Sequence, residues 1–193
     1  NMKMAIDCLG GDHSPAANVG GALLALEDFS DLVVVLYGDE TAIKAELSGK
    51  TYPAGRVEIV NAPEAVDGND KPIDAIRLKK DSSMIRAVKD LRENEDIKAL
   101  VSCGATGILV GASILRIGRL EGVRRPAFCP VLPTMNGGIV GVCDSGANID
   151  ASAEQLRQNA IMGSAYLCRA YGIENPRVAL LNVGTEEEKG DDI

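Results

Sequence analysis

The sequence predicts an α/β fold, an α/β/α sandwich built on a mainly parallel sheet. Three observations lead there. Short apolar runs of strand length recur at residues 3–8, 32–37, 57–60 and 97–101. Most of them end in a small, glycine-rich turn and pass into a segment with apolar residues at helical spacing. That repeated order of strand, turn and helix gives parallel strands with helices on both faces, because each crossover must climb over the sheet.

Residues 3–8 (Lys-Met-Ala-Ile-Asp-Cys) form the first strand and run into Leu9-Gly10-Gly11-Asp12-His13-Ser14-Pro15. Ser14 and Pro15 suit the N-cap and first position of a helix, which continues through Val19, Leu23, Leu24 and Leu26. Asp12 and His13 fall in the turn. They either face a cleft at the strand's carboxyl end or simply close the turn and meet solvent. Residues 32–37 read as a fully buried strand, and Gly38-Asp39 turns it into a short helix over 41–47. The third strand, 57–60, leads to a polar loop over 61–71.

Pro72 opens the next helix, which ends near Lys80, and Asp81 or Ser82 caps its successor over 84–94. Capping accounts for Asp81, Ser82 and Ser83. It does not account for Arg77, Lys79 and Lys80 just upstream. These bind an anion or acidic partner, or line a solvated helix face.

The fourth strand, 97–101, exits through Ser102-Cys103-Gly104-Ala105-Thr106-Gly107 into an apolar helix over 108–117. A strand that ends in glycine and runs straight into a helix leaves free backbone N–H groups at the positive end of the helix dipole, where anions bind. Ser102 and Thr106 add hydroxyl donors. The same turn would also serve tight packing alone. Four arginines follow, Arg116, Arg119, Arg124 and Arg125.

An extended segment over 125–132, an Asn136-Gly137 turn and a return over 139–144 predict a hairpin. This is the one antiparallel feature expected. Ser152 and Gln155 form a capping box for a long helix over 153–171, closed by Gly172. Residues 177–182 read as the last strand, ahead of a glycine turn that contains Gly184 and Lys189. Five strand exits are expected to converge on one sheet edge, the crevice where such sheets bind ligands.

Composition excludes several functions. A net charge of −8 argues against nucleic acid as the main partner. No apolar run approaches the roughly 20 residues of a membrane span, and the N-terminus lacks a signal-peptide pattern. The five cysteines are scattered without a C-x-x-C pair, and there is one His. Reduced thiols in a cytoplasmic protein without a metal site are expected. No turn matches G-x-G-x-x-G, the P-loop or G-x-S-x-G, and any triad would have to use His13. Glycine turns, hydroxyls, Asn148, Asn182 and Lys189 suit an oxyanion or phosphate better than a covalent nucleophile.

Several ungapped motifs fall in order along essentially the whole chain. They are the 9–15 turn, Arg77-Leu78-Lys79-Lys80-Asp81-Ser82-Ser83-Met84, Arg125-Pro126-Ala127, Asp144-Ser145-Gly146-Ala147-Asn148 and the stretch 182–190. Together they resemble the PlsX family of phosphate acyltransferases of bacterial phospholipid synthesis. The resemblance implies a fold related to phosphate acetyltransferases and to the isocitrate and isopropylmalate dehydrogenases. It implies transfer of a fatty acyl group from acyl carrier protein to inorganic phosphate, giving acyl phosphate, with no cofactor. It also implies a homodimer, and peripheral contact with the cell membrane through a segment outside this chain. Family members are considerably longer, so residues 1–193 are expected to be a single α/β domain, the N-terminal part of a longer catalytic chain. The family usually carries Asn where this chain has Ala105.

The chemistry so implied asks little of an acid or base. Phosphate is partly dianionic at neutral pH, with a second pKa of about 6, and the leaving thiol has a pKa of about 8.5. What remains is to hold two anionic partners together and stabilise a tetrahedral oxyanion. The candidate catalytic residues are Lys189, Asn148 and His13. The candidate substrate-binding residues are Gly10, Gly11, Asp12, Lys79, Lys80, Asp81, Ser82, Ser83, Ser102, Gly104, Thr106, Gly107, Asn182 and Gly184. Arg119, Arg124 and Arg125 would form a basic rim that steers the acidic carrier. The alternatives are a phosphate acetyltransferase-like enzyme using acyl-CoA and a non-catalytic ligand-binding fragment. A dehydrogenase of related fold is disfavoured, because no metal-binding carboxylate cluster stands out.

Overall fold

The computed structural model describes residues 2–66, 69–148, 150–181 and 184. Contacts group the chain into two compact units, Asn1–Gly118 and Arg119–Ile193. That is a finer division than the single α/β domain expected over 1–193.

The first unit runs β1 (Met2–Asp7), α1 (Ala16–Asp28), β2 (Leu32–Gly38), α2 (Glu40–Leu47), β3 (Val57–Asn61), α3 (Pro72–Leu78), α4 (Ser83–Glu93), β4 (Ile97–Val101) and α5 (Thr106–Arg116). Its four strands are all parallel, in the order β3-β2-β1-β4. β2, Leu-Val-Val-Val-Leu-Tyr-Gly, is buried along its whole length, as a strand covered on both faces must be.

Side-chain alternation sorts the layers. Ile6, Val34 and Leu36 pack with Val19 and Leu26 of α1 and Ile43 and Leu47 of α2. Ala5, Val35 and Tyr37 point the other way, toward Ala87 of α4. A third cluster joins Ile76, Met84, Ile85, Val88, Ile108 and Ala112, locking α3, α4 and α5 together. The α/β/α layering predicted from the strand–turn–helix order is present.

Chain order places the ligand crevice. From β1 the chain steps through β2 to β3, then returns across the sheet to lay β4 on the opposite side of β1. The order therefore reverses between β1 and β4, and their carboxyl ends flank the switch point at which open α/β sheets bind ligands.

Two caps differ from expectation. Pro15 occupies the N-cap of α1 in a helical conformation without a side-chain cap, so Ser14 does not cap that helix. Ser82 holds the N-cap position of α4, but its hydroxyl donates to the Lys79 carbonyl at 2.8 Å instead of accepting from the first turn.

The second unit contains β5 (Val131–Pro133), β6 (Ile139–Gly141) and α6 (Ala153–Tyr171). β5 and β6 are the only antiparallel strand pair among the described residues. Their loop closes through the Thr134 N–H on the Gly138 carbonyl at 2.8 Å, with Gly137 at φ 77°. The capping box of Ser152 and Gln155 opens α6 as expected, and Gly172 ends it in the left-handed region at φ 69°.

The strand expected over 177–182 is not found. Residues 177–181 carry no regular structure, and residue 182 lies outside the described residues. A parallel strand exists only through its ladder, and the described part of this unit offers 177–181 no partner strand. Val178, Leu180 and Leu181 are accordingly exposed. Among the described residues the parallel sheet thus has four strand exits, not the five expected.

Candidate functional site

The switch point is organised by a buried carboxylate at the end of β1. Asp7 is 1% exposed. It accepts from the Ser83 hydroxyl at 2.5 Å, the Ser102 hydroxyl at 2.6 Å and the Leu9 N–H at 3.2 Å. A carboxylate removed from water is tolerated only when its lone pairs are met this way. Ser102 Oγ in turn accepts the Gly104 N–H at 3.1 Å. From α1, the Asn18 side chain donates to the carbonyls of Asp7 and Gly10 at 2.9 and 3.1 Å. Asp7 therefore ties the β1 exit to the β4 exit and to the start of α4.

The two glycine turns touch each other. A Cβ on Gly10 would lie 2.5 Å from Asp7 Oδ2 and 2.7 Å from the Gly104 nitrogen. A Cβ on Gly104 would lie 2.6 Å from Met84 Cε and 3.3 Å from Asp7 Oδ2. Gly11 sits at φ 99°, a conformation that L side chains resist. Glycine is required here by close backbone approach, and that approach brings the β1 turn against the entrance to α5.

At that entrance Ala105 is the N-cap, in an extended conformation and without a side-chain cap. The first intrahelical bonds are those of the Ile108 and Leu109 N–H groups to the Ala105 carbonyl, both 3.1 Å. Thr106 and Gly107, ahead of them, are exposed, in the turn where the helix dipole favours an anion.

The remaining candidates in this unit separate into two groups. Asp12 and His13 are exposed on the β1 turn, and Lys80 and Asp81 are exposed ahead of α4. Lys79 is engaged internally, its ammonium on Asp70 at 2.5 Å and on the Ala65 carbonyl at 3.1 Å. Ser82 and Ser83 are buried, with both hydroxyls on internal acceptors. Burial pushes the Cys8 thiol up to about 12, reinforced by Asp7, which leaves it inert beside the turn.

In the second unit the organising group is Asp144. It accepts the N–H groups of Phe128 at 2.8 Å, Ala147 at 3.2 Å and Asn148 at 2.8 Å, and the Asn148 side-chain amide at 2.9 Å. Burial alone would raise its carboxyl, but these hydrogen bonds outweigh it and hold Asp144 below the usual range. Asn148 Nδ2 also donates to the Pro126 carbonyl at 3.1 Å, so both of its amide hydrogens are engaged and neither is spare for an oxyanion.

Of the arginines here, Arg119 donates to the Arg124 carbonyl, and the Arg124 N–H donates to Gln158 at 3.0 Å. Arg125 and Asn148 line one small concavity with Gln155 and Gln158. Glu154 is held down to about 2 by Arg157 and Gln158, with Arg124 contributing least. Gly184 is half-buried outside any helix or strand, and Asn182 and Lys189 lie outside the described residues.

The residues that sequence reasoning missed are Asp7, Asn18 and Asp144. The available signal was Asp7 itself, a carboxylate inside an otherwise apolar strand.

Against known proteins, the family model described as fatty acid synthesis protein matches residues 2–193. The chain belongs to this family. Curated members of the fatty acid synthesis protein family that it resembles are phosphate acyltransferases, the PlsX type expected from the motifs. That of Caldanaerobacter subterraneus subsp. tengcongensis is 44% identical over 192 residues, covering all of this chain and 56% of that protein. That of Bacillus subtilis is 42% identical over 192 residues, again covering all of this chain and 56% of that protein. The chain thus spans little more than half the length of these relatives.

Among solved structures, a phosphotransacetylase from Streptococcus pyogenes matches with a TM-score of 0.72 at 18% identity, over all of this chain and 60% of that one. The EutD phosphotransacetylase from Staphylococcus aureus matches with a TM-score of 0.65 at 17% identity, with the same coverage of both chains. At such identity the likeness concerns the fold, and it agrees with the phosphate acetyltransferase-related architecture expected. Among the described residues of this family member, no helix is long and apolar enough to cross a membrane. No group of three or more His, Cys, Asp or Glu is placed among them to hold a metal ion.

Proposed function

We propose that this chain is the N-terminal part of a phosphate acyltransferase that moves a fatty acyl group from acyl carrier protein to inorganic phosphate. The observation that carries the proposal is the contact of the Gly10 and Gly104 turns at the β1/β4 switch point, ahead of the exposed first turn of α5. A phosphate oxygen attacks the thioester carbonyl carbon, the C–O bond forms, and the carbonyl electron pair moves onto oxygen. The tetrahedral intermediate then collapses, the C–S bond breaks, and the thiolate leaves on the carrier and takes a proton. The products are acyl phosphate and free carrier thiol.

In this scheme the backbone N–H groups of Thr106 and Gly107, with the α5 dipole, hold the phosphate. Asp12 and His13, exposed on the facing turn, orient the phosphate or the acyl thioester. Lys189 is assigned by sequence alone to neutralise the phosphate or the developing oxyanion. Arg119, Arg124 and Arg125 steer the acidic carrier. A homodimer, a cytoplasmic location and peripheral contact with the membrane belong to the same proposal, which feeds acyl phosphate to phospholipid synthesis.

The two solved structures described above are phosphotransacetylases, and acyl-CoA is kept as the alternative acyl donor. Phosphate-dependent thiol release from acyl–acyl carrier protein and from acyl-CoA of the same chain length separates the two. Faster release from the carrier thioester is expected. Equal or faster release from acyl-CoA would return the protein to the phosphate acetyltransferase-like alternative.

A further inference from the structure

The hairpin of the second unit brings two thiols together. β5 and β6 pair Val131 with Gly141. The ladder continues one step, where the Val142 N–H donates to the Pro130 carbonyl at 3.0 Å. The next step outward sets Cys129 opposite Cys143. Because Pro130 and Val142 hold the hydrogen-bonded step, the cysteines fall on the non-hydrogen-bonded one, where facing side chains come closest.

α6 closes over this pair with a residue that has no side chain. A Cβ on Gly163 would lie 3.8 Å from Cys143 Sγ and 3.9 Å from Cys129 Sγ, so both sulfurs border the same point. A Cβ on Gly141 would lie 3.1 Å from Cys129 Sγ and 3.3 Å from Leu167 Cδ1, which fixes the sulfur between hairpin and helix. Burial, and then the charge and hydrogen bonding of Cys129, push the Cys143 thiol up to about 11, consistent with two thiols in direct contact.

We propose that Cys129 and Cys143 are a disulfide-forming site, a reversible cross-link that clamps the open end of the hairpin. Facing residues on a non-hydrogen-bonded step stand about 4.5 Å apart at Cα, inside the roughly 4.4–6.8 Å that a disulfide accepts. The oxidant is a small cyclic disulfide. One cysteine thiolate attacks it and opens the ring to a mixed disulfide, whose free end takes up a proton. The second cysteine, giving up its proton, attacks the protein sulfur of that mixed disulfide and releases the small dithiol. Two protein thiols and one cyclic disulfide become one protein disulfide and one small dithiol. Phe128 and Asp144, the immediate neighbours of the two cysteines, are already joined by the Phe128 N–H on Asp144 at 2.8 Å. The cross-link would therefore brace the turn that holds Asn148. It is independent of the acyl-transfer proposal.

The test is thiol mapping on the native protein after exposure to oxidised dithiothreitol. Free thiols are alkylated, the chain is cut with trypsin, and the fragments are weighed. Cleavage at Arg124 and Arg157 leaves Cys129 and Cys143 on one peptide, 125–157, apart from Cys8, Cys103 and Cys168. The expected result is that this peptide becomes two hydrogens lighter and takes no alkyl group until it is reduced, while the exposed Cys103 stays alkylated. In Cys129→Ser, Cys143 should remain alkylatable after the same exposure. Two alkyl groups on peptide 125–157 after oxidation, its linkage to another cysteine peptide, or protection of Cys143 in Cys129→Ser would overturn the proposal.

Discussion

The hydroxyl of Ser102, one residue past β4, donates at 2.6 Å to the carboxylate of Asp7, the last residue of β1. This bond spans the point where the strand order reverses and holds the two glycine turns in contact. Removing one donor from a buried carboxylate costs roughly 1.5–3 kcal/mol. Ser102→Ala should destabilise the fold by about that much, and Ser83→Ala, which shares the same acceptor, should do so non-additively with it. Equilibrium denaturation of the single and double variants checks this, and losses below about 0.5 kcal/mol would place the stabilisation elsewhere.

The glycines of the two turns should respond in a fixed order. Gly10→Ala drives a Cβ against the Gly104 backbone, whereas Gly104→Ala meets first the flexible end of Met84. Gly10→Ala should therefore be the more damaging, by roughly 1–3 kcal/mol or more. Gly20→Ala in α1 meets nothing within 4 Å and should stabilise by about 0.5–1 kcal/mol through helix propensity. Thermal melts of the three variants rank them.

Ala105 stands in N-cap geometry without a cap. Ala105→Asn should add about 1 kcal/mol, worth roughly 2–4 °C in Tm for a chain of this size. A melt that does not move, or moves down, would show that the Ala105 position cannot seat the amide.

Asp144 makes the second unit acid-sensitive. Its carboxyl is held below the ordinary value in the folded state. Its contribution is therefore complete above an unfolded pKa of about 3.9 and is lost as pH falls through the lower folded value. Asp144→Asn should cost roughly 1–3 kcal/mol at neutral pH and less below about pH 3.9. Denaturation at the two pH values reads that difference, and an equal cost at both would remove the carboxylate from the account.

Charge reversal at Arg124 and Arg125 should raise the KM for the carrier-bound substrate and flatten its salt dependence, with kcat little changed. Steady-state kinetics at low and high salt test this. An unchanged KM with unchanged salt dependence would leave these arginines as solvated surface.

What could be read from sequence was what local chemistry determines. Ser152 with Gln155 and Gly172 bracket α6 because caps and left-handed closures depend on a few adjacent residues. The strand–turn–helix order likewise gave the parallel sheet and its layers. Contacts between distant residues were not legible. Lys79 read as an anion ligand or as part of a solvated helix face, but its ammonium is on Asp70. Ser83 read as a cap or ligand, yet its hydroxyl meets Asp7, 76 residues earlier. Asn148 read as an oxyanion donor, but Asp144 and Pro126 take its amide. Residues 177–182 have a strand's composition, and composition does not supply a neighbouring strand to pair with.

The measurement that bears most directly on the central claim is release of free carrier thiol from acyl–acyl carrier protein by the native protein, with and without inorganic phosphate. Release that requires phosphate and yields acyl phosphate in equal amount is the expected result. Release at the same rate without phosphate would point to transfer to water instead, and none under either condition would favour a non-catalytic ligand-binding role; either result would contradict phosphate acyl transfer.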